Sequence, residues 1–246
     1  MAEDLSRALE SAARLAGQKG LKRFTRFLDP AQIAQAQDIA RSCGAQLDCW
    51  GGYDRAERAI ACFYPFGELP QRDEYPLVCL HSRFAAKFCS LSHRDILGAF
   101  MALGLTRASI GDIIIDEADI YLFAVNQTAD FIAQGLTGAG KATLQFEPLS
   151  DIPPMPQPKG TSFSAVVSSM RLDAILAAAY HLSRSESAEA IRAGLVKLNH
   201  LPCDRVDATV SEGALLSLRA RGRIRLASVD GMTRKQRIGI TFFRYE

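Results

Sequence analysis

Hydrophobic positions recur near helical spacing from about residue 3 to 42, through Leu5, Ala8, Leu9, Ala12, Ala13 and Leu15. Asp29-Pro30 reads there as the N-cap and first turn of a further helix. The period then shortens. Trp50-Gly51-Gly52-Tyr53-Asp54 reads as a turn and Ala59–Tyr64 as a strand. Leu77–His81 is a strand, Ser92 with Asp95 caps a helix running from His93 to Leu103, and Gly104 stops it. Asp112–Ile115 and Ile120–Val125 follow as strands joined by the acidic turn Asp116–Asp119. A short helix over Thr128–Leu136 and a strand over Thr143–Glu147 close this region.

The order β-α-β-β-α-β between residues 76 and 150 predicts a ferredoxin-like (split βαβ, RRM-like) central domain. Tyr121 and Phe123 share one face of its third strand by period two and could stack bases. The Lys/Arg-Gly-aromatic signature of an RNA-recognition motif is missing, so core packing is the expectation for both. Four prolines within Asp151–Gly160 exclude helix and central strand, which predicts a linker over 151–165. A weaker break at Phe66–Pro76 separates an N-terminal α+β segment, 1–75, from the central domain, 76–150. The last part, 166–246, starts with a helix over Arg171–Tyr180 and a second one opened by the capping box Ser183-Arg184-Ser185-Glu186 and stopped at Gly194. Val196–Asn199, Leu215–Arg219, Arg223–Leu226 and Ile238–Phe243 read as strands of a small sheet under these helices. The fold class is therefore α+β throughout.

Composition sharpens this picture in two places. With 48% hydrophobic and 23% charged residues over 246 positions, a disordered chain or a coiled-coil rod is excluded and a real core is expected. No run of eighteen apolar residues occurs, and the acidic start Met1-Ala2-Glu3-Asp4 does not resemble a signal peptide, so a cytoplasmic protein without membrane contact is expected. The six cysteines lack Cys-x-x-Cys spacing and read as reduced thiols. Charge is the second informative quantity. Residues 1–158 carry 15 Lys and Arg against 19 Asp and Glu, a net of −4, whereas residues 159–246 carry 14 against 8, a net of +6. Between Arg219 and Arg244 eight basic residues face only Asp230. Such a surplus suits a phosphate-bearing partner, although a merely solvated basic face has the same composition.

Catalytic motifs fail on inspection. Gly135-Leu136-Thr137-Gly138-Ala139-Gly140-Lys141 copies a P-loop but is followed by Ala142 and lies between a helix and a strand, the reverse of the required order, so Lys141 is read as a turn residue. His93-Arg94-Asp95 lacks the rest of a kinase catalytic loop. The carboxylates Asp112, Asp116, Glu117 and Asp119 do not have calcium-loop spacing. No cofactor, metal or small-molecule substrate is expected.

Arg171-Leu172-Asp173, Ser183-Arg184-Ser185, Ala188, Ile191, Gly194, Val196, Lys197 and Asn199 resemble the alpha-L, or S-four type, RNA-binding motif. Leu91–Ala99, Leu103-Gly104, Arg107 and Gly111-Asp112-Ile113 resemble the central domain of the bacterial YlmH family, in which that motif closes the chain. The resemblance implies a non-enzymatic, ribosome-associated protein, with ribosomal RNA of the large subunit and peptidyl-tRNA as partners. It implies that Arg184, Ser185, Lys197 and Asn199 touch RNA together with the basic strand residues. With Arg171, Arg219, Arg221, Arg223, Arg234, Lys235 and Arg237 as phosphate holders, and His93 and Arg94 on the central domain, these form the expected RNA-binding set. Two departures from the motif concern turns: Asn199-His200 stands where Asn-Gly is usual, and Gly213-Ala214 where Gly-Asp is. The alternative is an RNA-modifying enzyme of the pseudouridine-synthase type, whose catalytic Asp lies in a Gly-Arg-Leu-Asp loop; here Met170 precedes Arg171-Leu172-Asp173. A DNA-binding regulator is a third class, since helix-turn-helix also pairs short helices.

Overall fold

Local capping chemistry sets the starts of three helices in the computed structural model, which describes residues 2–233 and 236–246. The first part of the chain runs α1 (Ala2–Lys19), β1 (Arg23–Leu28), α2 (Pro30–Cys43), β2 (Gln46–Trp50), β3 (Ala59–Tyr64), β4 (Leu77–Arg83), α3 (His93–Ala102), β5 (Ile110–Asp116), β6 (Asp119–Val125), α4 (Asn126–Gly135), β7 (Gly138–Ala139), β8 (Ala142–Thr143) and β9 (Glu147–Leu149). The second part runs β10 (Gly160–Val167), α5 (Leu172–Tyr180), α6 (Arg184–Arg192), β11 (Val196–Leu198), β12 (Leu201–Pro202), β13 (Leu215–Leu218), β14 (Gly222–Met232) and β15 (Ile238–Tyr245). The chain divides into two compact units between Pro156 and Gln157. The Ser92 and Ser183 hydroxyls accept from the amides of Asp95 and Glu186, whose carboxylates accept in return from the two cap amides. Asp29 and Gln32 make the same reciprocal pair before α2.

Within the first unit, α1 and α2 cover one face of an antiparallel sheet of order β1-β3-β2, burying Leu9, Ala13, Leu28, Ala36 and Phe63. Strand β1 interrupts the stretch expected to be helical. Its apolar Phe24 and Phe27 are split by a register irregularity opposite β3, which hides a simple alternation. The central sheet has the order β5-β6-β4-β9 with antiparallel neighbours, the arrangement expected of a ferredoxin-like unit. Helices α3 and α4 cover one of its faces with Ile96, Phe100 and Ile132 against Leu80 and Leu122. The other face is closed by the first sheet: Phe123, Cys79 and Val125 pack with Phe27, Ile60 and Tyr75. Phe123 is fully buried and stacks on Tyr53 at 5.0 Å between centroids, so it packs in the core as expected.

The motif residues Arg107 and Gly111-Asp112 join these two layers. The Asp112 carboxylate accepts from the Tyr53 hydroxyl at 2.9 Å, the Glu57 amide at 2.7 Å and the Arg58 amide at 3.2 Å, which ties the β2–β3 loop to β5. Burial pushes its pKa up against those bonds. A Cβ on Gly111 would stand 2.5 Å from the Phe27 ring, so glycine is required there. The single strand expected over Thr143–Glu147 is replaced by two pieces. β8 pairs with β7 around the Gly140-Lys141 turn, and β9 pairs with β4 at the sheet edge, where Pro148 is tolerated without an amide. Lys141 is a turn residue, as its context predicts.

The second unit is a six-stranded antiparallel sheet of order β10-β15-β14-β13-β11-β12 with α5 and α6 on one face. Strand β10 lies partly within the stretch expected to be linker, because its pairing partner β15 follows about eighty residues later. β14 runs on to Met232, past the apolar pair that marks its start. Asn199 (φ 49°) and His200 (φ 69°) form a two-residue turn joining Leu198 to Leu201, with both residues in the left-handed region. His200→Gly removes a Cβ penalty there and is expected to stabilise the chain by about 1 kcal/mol, read as a raised urea midpoint.

Candidate nucleic-acid interface

The first turn of α5 holds a buried carboxylate between two arginines. Asp173, with its side chain 8% exposed, accepts Arg171 Nε on Oδ1 at 3.3 Å and Arg184 Nη2 on Oδ2 at 2.5 Å, while the arginine side chains are 49% and 48% exposed. Backbone bonds fix this carboxylate: the Leu172 and Asp173 amides donate to the Ala208 and Val206 carbonyls, and the Ala174 amide donates to Asp173 Oδ1. Arg184 opens α6 just after its cap, so the starts of both helices converge on one anion. Each guanidinium gives Asp173 one of its donors, and among the described residues neither has another side-chain hydrogen bond. The remaining N–H groups suit phosphate oxygens.

Burial works to raise the Asp173 pKa, but the bonds and charges of Arg184 and Arg171 outweigh it and hold the carboxyl below its ordinary value. A carboxyl depressed in the folded state contributes stability that is complete above the unfolded value of about 3.9 and lost as pH falls through the folded value. Asp173→Asn therefore lowers the urea midpoint at neutral pH, and the gap to the parent chain narrows as the pH drops below about 4.

The structure divides the other expected residues into groups. Ser185 is exposed on the first turn of α6. Lys197 is exposed at the centre of β11, opposite Ser217, which in turn faces Arg223 on β14. Arg219 and Arg221 are exposed on either side of left-handed Ala220 in the β13–β14 turn. Asn199 spends its carboxamide oxygen on the Leu215 amide at 2.8 Å, and its own amide donates to the Leu215 carbonyl at 2.8 Å, so it fixes the entry to β13. Arg237 donates through Nη2 to the Val166 carbonyl at 2.8 Å and lies past the other end of β14. At about 3.3 Å per residue that strand separates it from Arg221 and Arg223 by roughly 30 Å. Arg234 and Lys235 lie outside the described residues. His93 and Arg94 are exposed on the first turn of α3 in the other unit; partial burial and then the Arg107 charge push the His93 pKa down. The sequence-derived set omits Arg225, Phe243 and Tyr245, which the strand register brings alongside Arg223. The signal that could have found them is the period-two repeat of 223 with 225 and of 243 with 245.

Comparison with known proteins places this geometry. Residues 70–151 match the family described as a putative RNA-binding domain in YlmH, and residues 170–216 match the S4 domain. The ribosome-associated protein quality control protein P2 of Bacillus subtilis (strain 168) is 38% identical over 224 residues, 90% of this chain and 87% of that protein. The chain belongs to the YlmH family. A solved structure of the cell division protein ylmH from Streptococcus pneumoniae shares the fold, with a TM-score of 0.50 and 22% identity over 59% of this chain and 87% of that one. The family resemblance drawn from the sequence thus holds, as does an α+β fold ending in an S4 domain. An RNA-binding role follows from the two matched domains. The S4 match contains Arg171, Arg184, Ser185, Lys197 and Asn199; the YlmH match contains His93 and Arg94. Among the described residues, no helix is long and apolar enough to cross a membrane.

Proposed function

We propose that this YlmH-family chain binds folded ribosomal RNA of the large subunit, together with tRNA, and acts in ribosome-associated quality control without a chemical step of its own. The observation that carries the reading is the pair of half-exposed guanidiniums, Arg171 and Arg184, anchored on buried Asp173 inside the S4 match. A fixed pair of forks suits phosphate oxygens, and it reads shape and position rather than base identity. The relative from Bacillus subtilis, named for ribosome-associated quality control, supports the same setting, which would place the chain in the cytoplasm. The enzyme alternative finds little support at Asp173. Both of its oxygens are engaged by guanidiniums and its carboxylate is buried in α5, unlike a catalytic carboxylate that must reach a substrate.

The test is ultraviolet crosslinking in cells with sequencing of the bound RNA, comparing the full chain with its Arg171→Ala/Arg184→Ala variant. Loss of large-subunit and tRNA crosslinks in the variant is the expected result. Undiminished crosslinks would move the RNA contact away from α5 and α6, and altered nucleosides in RNA incubated with the protein would restore the enzyme reading.

A further inference from the structure

The sheet of the second unit has two faces of different character. Antiparallel partners share a face, and successive residues alternate between faces. Ile224, Leu226 and Phe242 point into the core under α5 and α6 and are fully buried. Arg223, Arg225, Phe243 and Tyr245 therefore point to the opposite side. The register confirms the grouping: Lys197 pairs with Ser217 and Ser217 with Arg223, while Leu215 pairs with Arg225, Arg225 with Phe243 and Phe243 with Ser162. No carboxylate occurs in these rows.

The aromatic side chains there are only half-buried and lie against cations. The Phe243 and Tyr245 rings meet edge to face at 5.1 Å. The guanidinium carbons of Arg223 and Arg225 stand 5.4 Å and 5.9 Å from the centre of the Tyr245 ring. The ring of Phe243 lies over Gly160 on β10, where an added Cβ would meet the Arg244 carbonyl at 2.1 Å and the ring at 2.7 Å, so this position is bare beside the aromatic pair. Arg225 Nε is shut off from solvent and has no hydrogen-bond acceptor among the described residues. Rings on the solvent side of a one-layer sheet lose little by being covered, and Arg223 and Arg225, two residues apart on one face, repeat a positive charge about 7 Å apart.

We infer that this face is a stacking platform for an unpaired nucleotide: a base lies on the Tyr245 and Phe243 rings while Lys197, Arg223 and Arg225 hold the phosphates beside it. The inference rests on the RNA-binding reading above and adds a ligand class to it, single-stranded RNA, at a surface built mainly from residues beyond the S4 match. Stacking is indifferent to base identity, since every base has a π-face. The two sites divide the work: the guanidinium pair on Asp173 meets folded RNA, and the sheet meets an unpaired base.

The full chain is titrated with two probes, a short single-stranded RNA carrying 2-aminopurine at its centre and a blunt RNA duplex. Tyr245→Leu keeps most of the volume but removes the ring. It is expected to weaken single-strand binding about tenfold or more and to abolish the 2-aminopurine quench, leaving duplex affinity unchanged. Tyr245→Phe retains both affinity and quench, and Tyr245→Trp retains or deepens them; melting curves show that each variant is folded. Arg171→Ala/Arg184→Ala should do the reverse, losing the duplex and keeping the quench. A quench that survives Tyr245→Leu overturns the platform while leaving the function reading intact, and so does a loss shared equally by both probes. Failure of the unmodified chain to bind either RNA overturns both.

Discussion

Arg171→Ala combined with Arg184→Ala is expected to weaken binding of folded RNA by about 10- to 100-fold, equivalent to 1.4 kcal/mol per tenfold. The plot of log affinity against log salt is expected to become shallower by about two. The size follows from what the two side chains have already given up. Each has one donor committed to Asp173, which restricts its rotamers before any ligand arrives, so little further entropy is lost when its remaining donors meet a phosphate. The effect should be uniform across RNA sequences, because phosphate contacts position rather than specify. Replacement by lysine keeps the charge and should preserve most of the salt slope, but it loses the fork that Asp173 orients, and with it part of the affinity. Isothermal titrations at several salt concentrations measure both quantities. An unchanged slope in the double alanine variant would remove the pair from the footprint.

Phe123→Ala is expected to cost the first unit about 3–5 kcal/mol, the range for emptying a large aromatic site in a packed core. Phe123 fills the seam between the two sheets, fully buried, with Tyr53 stacked on one side. Gly52, at φ 98°, leaves room for it: a Cβ there would stand 2.4 Å from the Phe123 ring. A cavity at this seam cannot collapse easily because both walls are strands. The one tryptophan, Trp50, packs against the same cluster and reports the transition by fluorescence during urea unfolding. Molecules that remain folded should bind RNA with undiminished affinity, since the face that carries Phe123 is covered by the first sheet. A fall in affinity without a fall in stability would instead mean that this sheet opens to stack bases.

Much of this architecture was legible in the residues themselves. The capping pairs Ser92 with Asp95 and Ser183 with Glu186 lie three residues apart, so their chemistry is local and the helix starts follow from it. The central β-α-β-β-α-β order could be read because its first five elements each carry their own period, and the antiparallel pairing then follows from topology. The arginines of the S4 match were legible by their type and spacing. Strand β1, the split of the last central strand and β10 were not, because a bulge, an edge proline and a distant partner each blur the alternation that marks a strand.

The basic residues show the same division more sharply. That Arg171, Arg184, Lys197 and the basic residues between Arg219 and Arg237 carry most of the positive charge of residues 159–246 was determined by the sequence alone, through composition and short-range motif. Which of them act together was decided only by the tertiary structure. Asp173 gathers Arg171 and Arg184 because backbone bonds donated by the Leu172 and Asp173 amides to the carbonyls of Ala208 and Val206 fix the start of α5. The long β14 carries Arg237 away from Arg223. Arg225 meets Phe243 because strands β14 and β15 pair in one register, in which a shift of a single residue would turn the rings into the core. Short-range chemistry is written in neighbouring residues; a shared face depends on pairing between segments far apart in the chain, and only folding sets that.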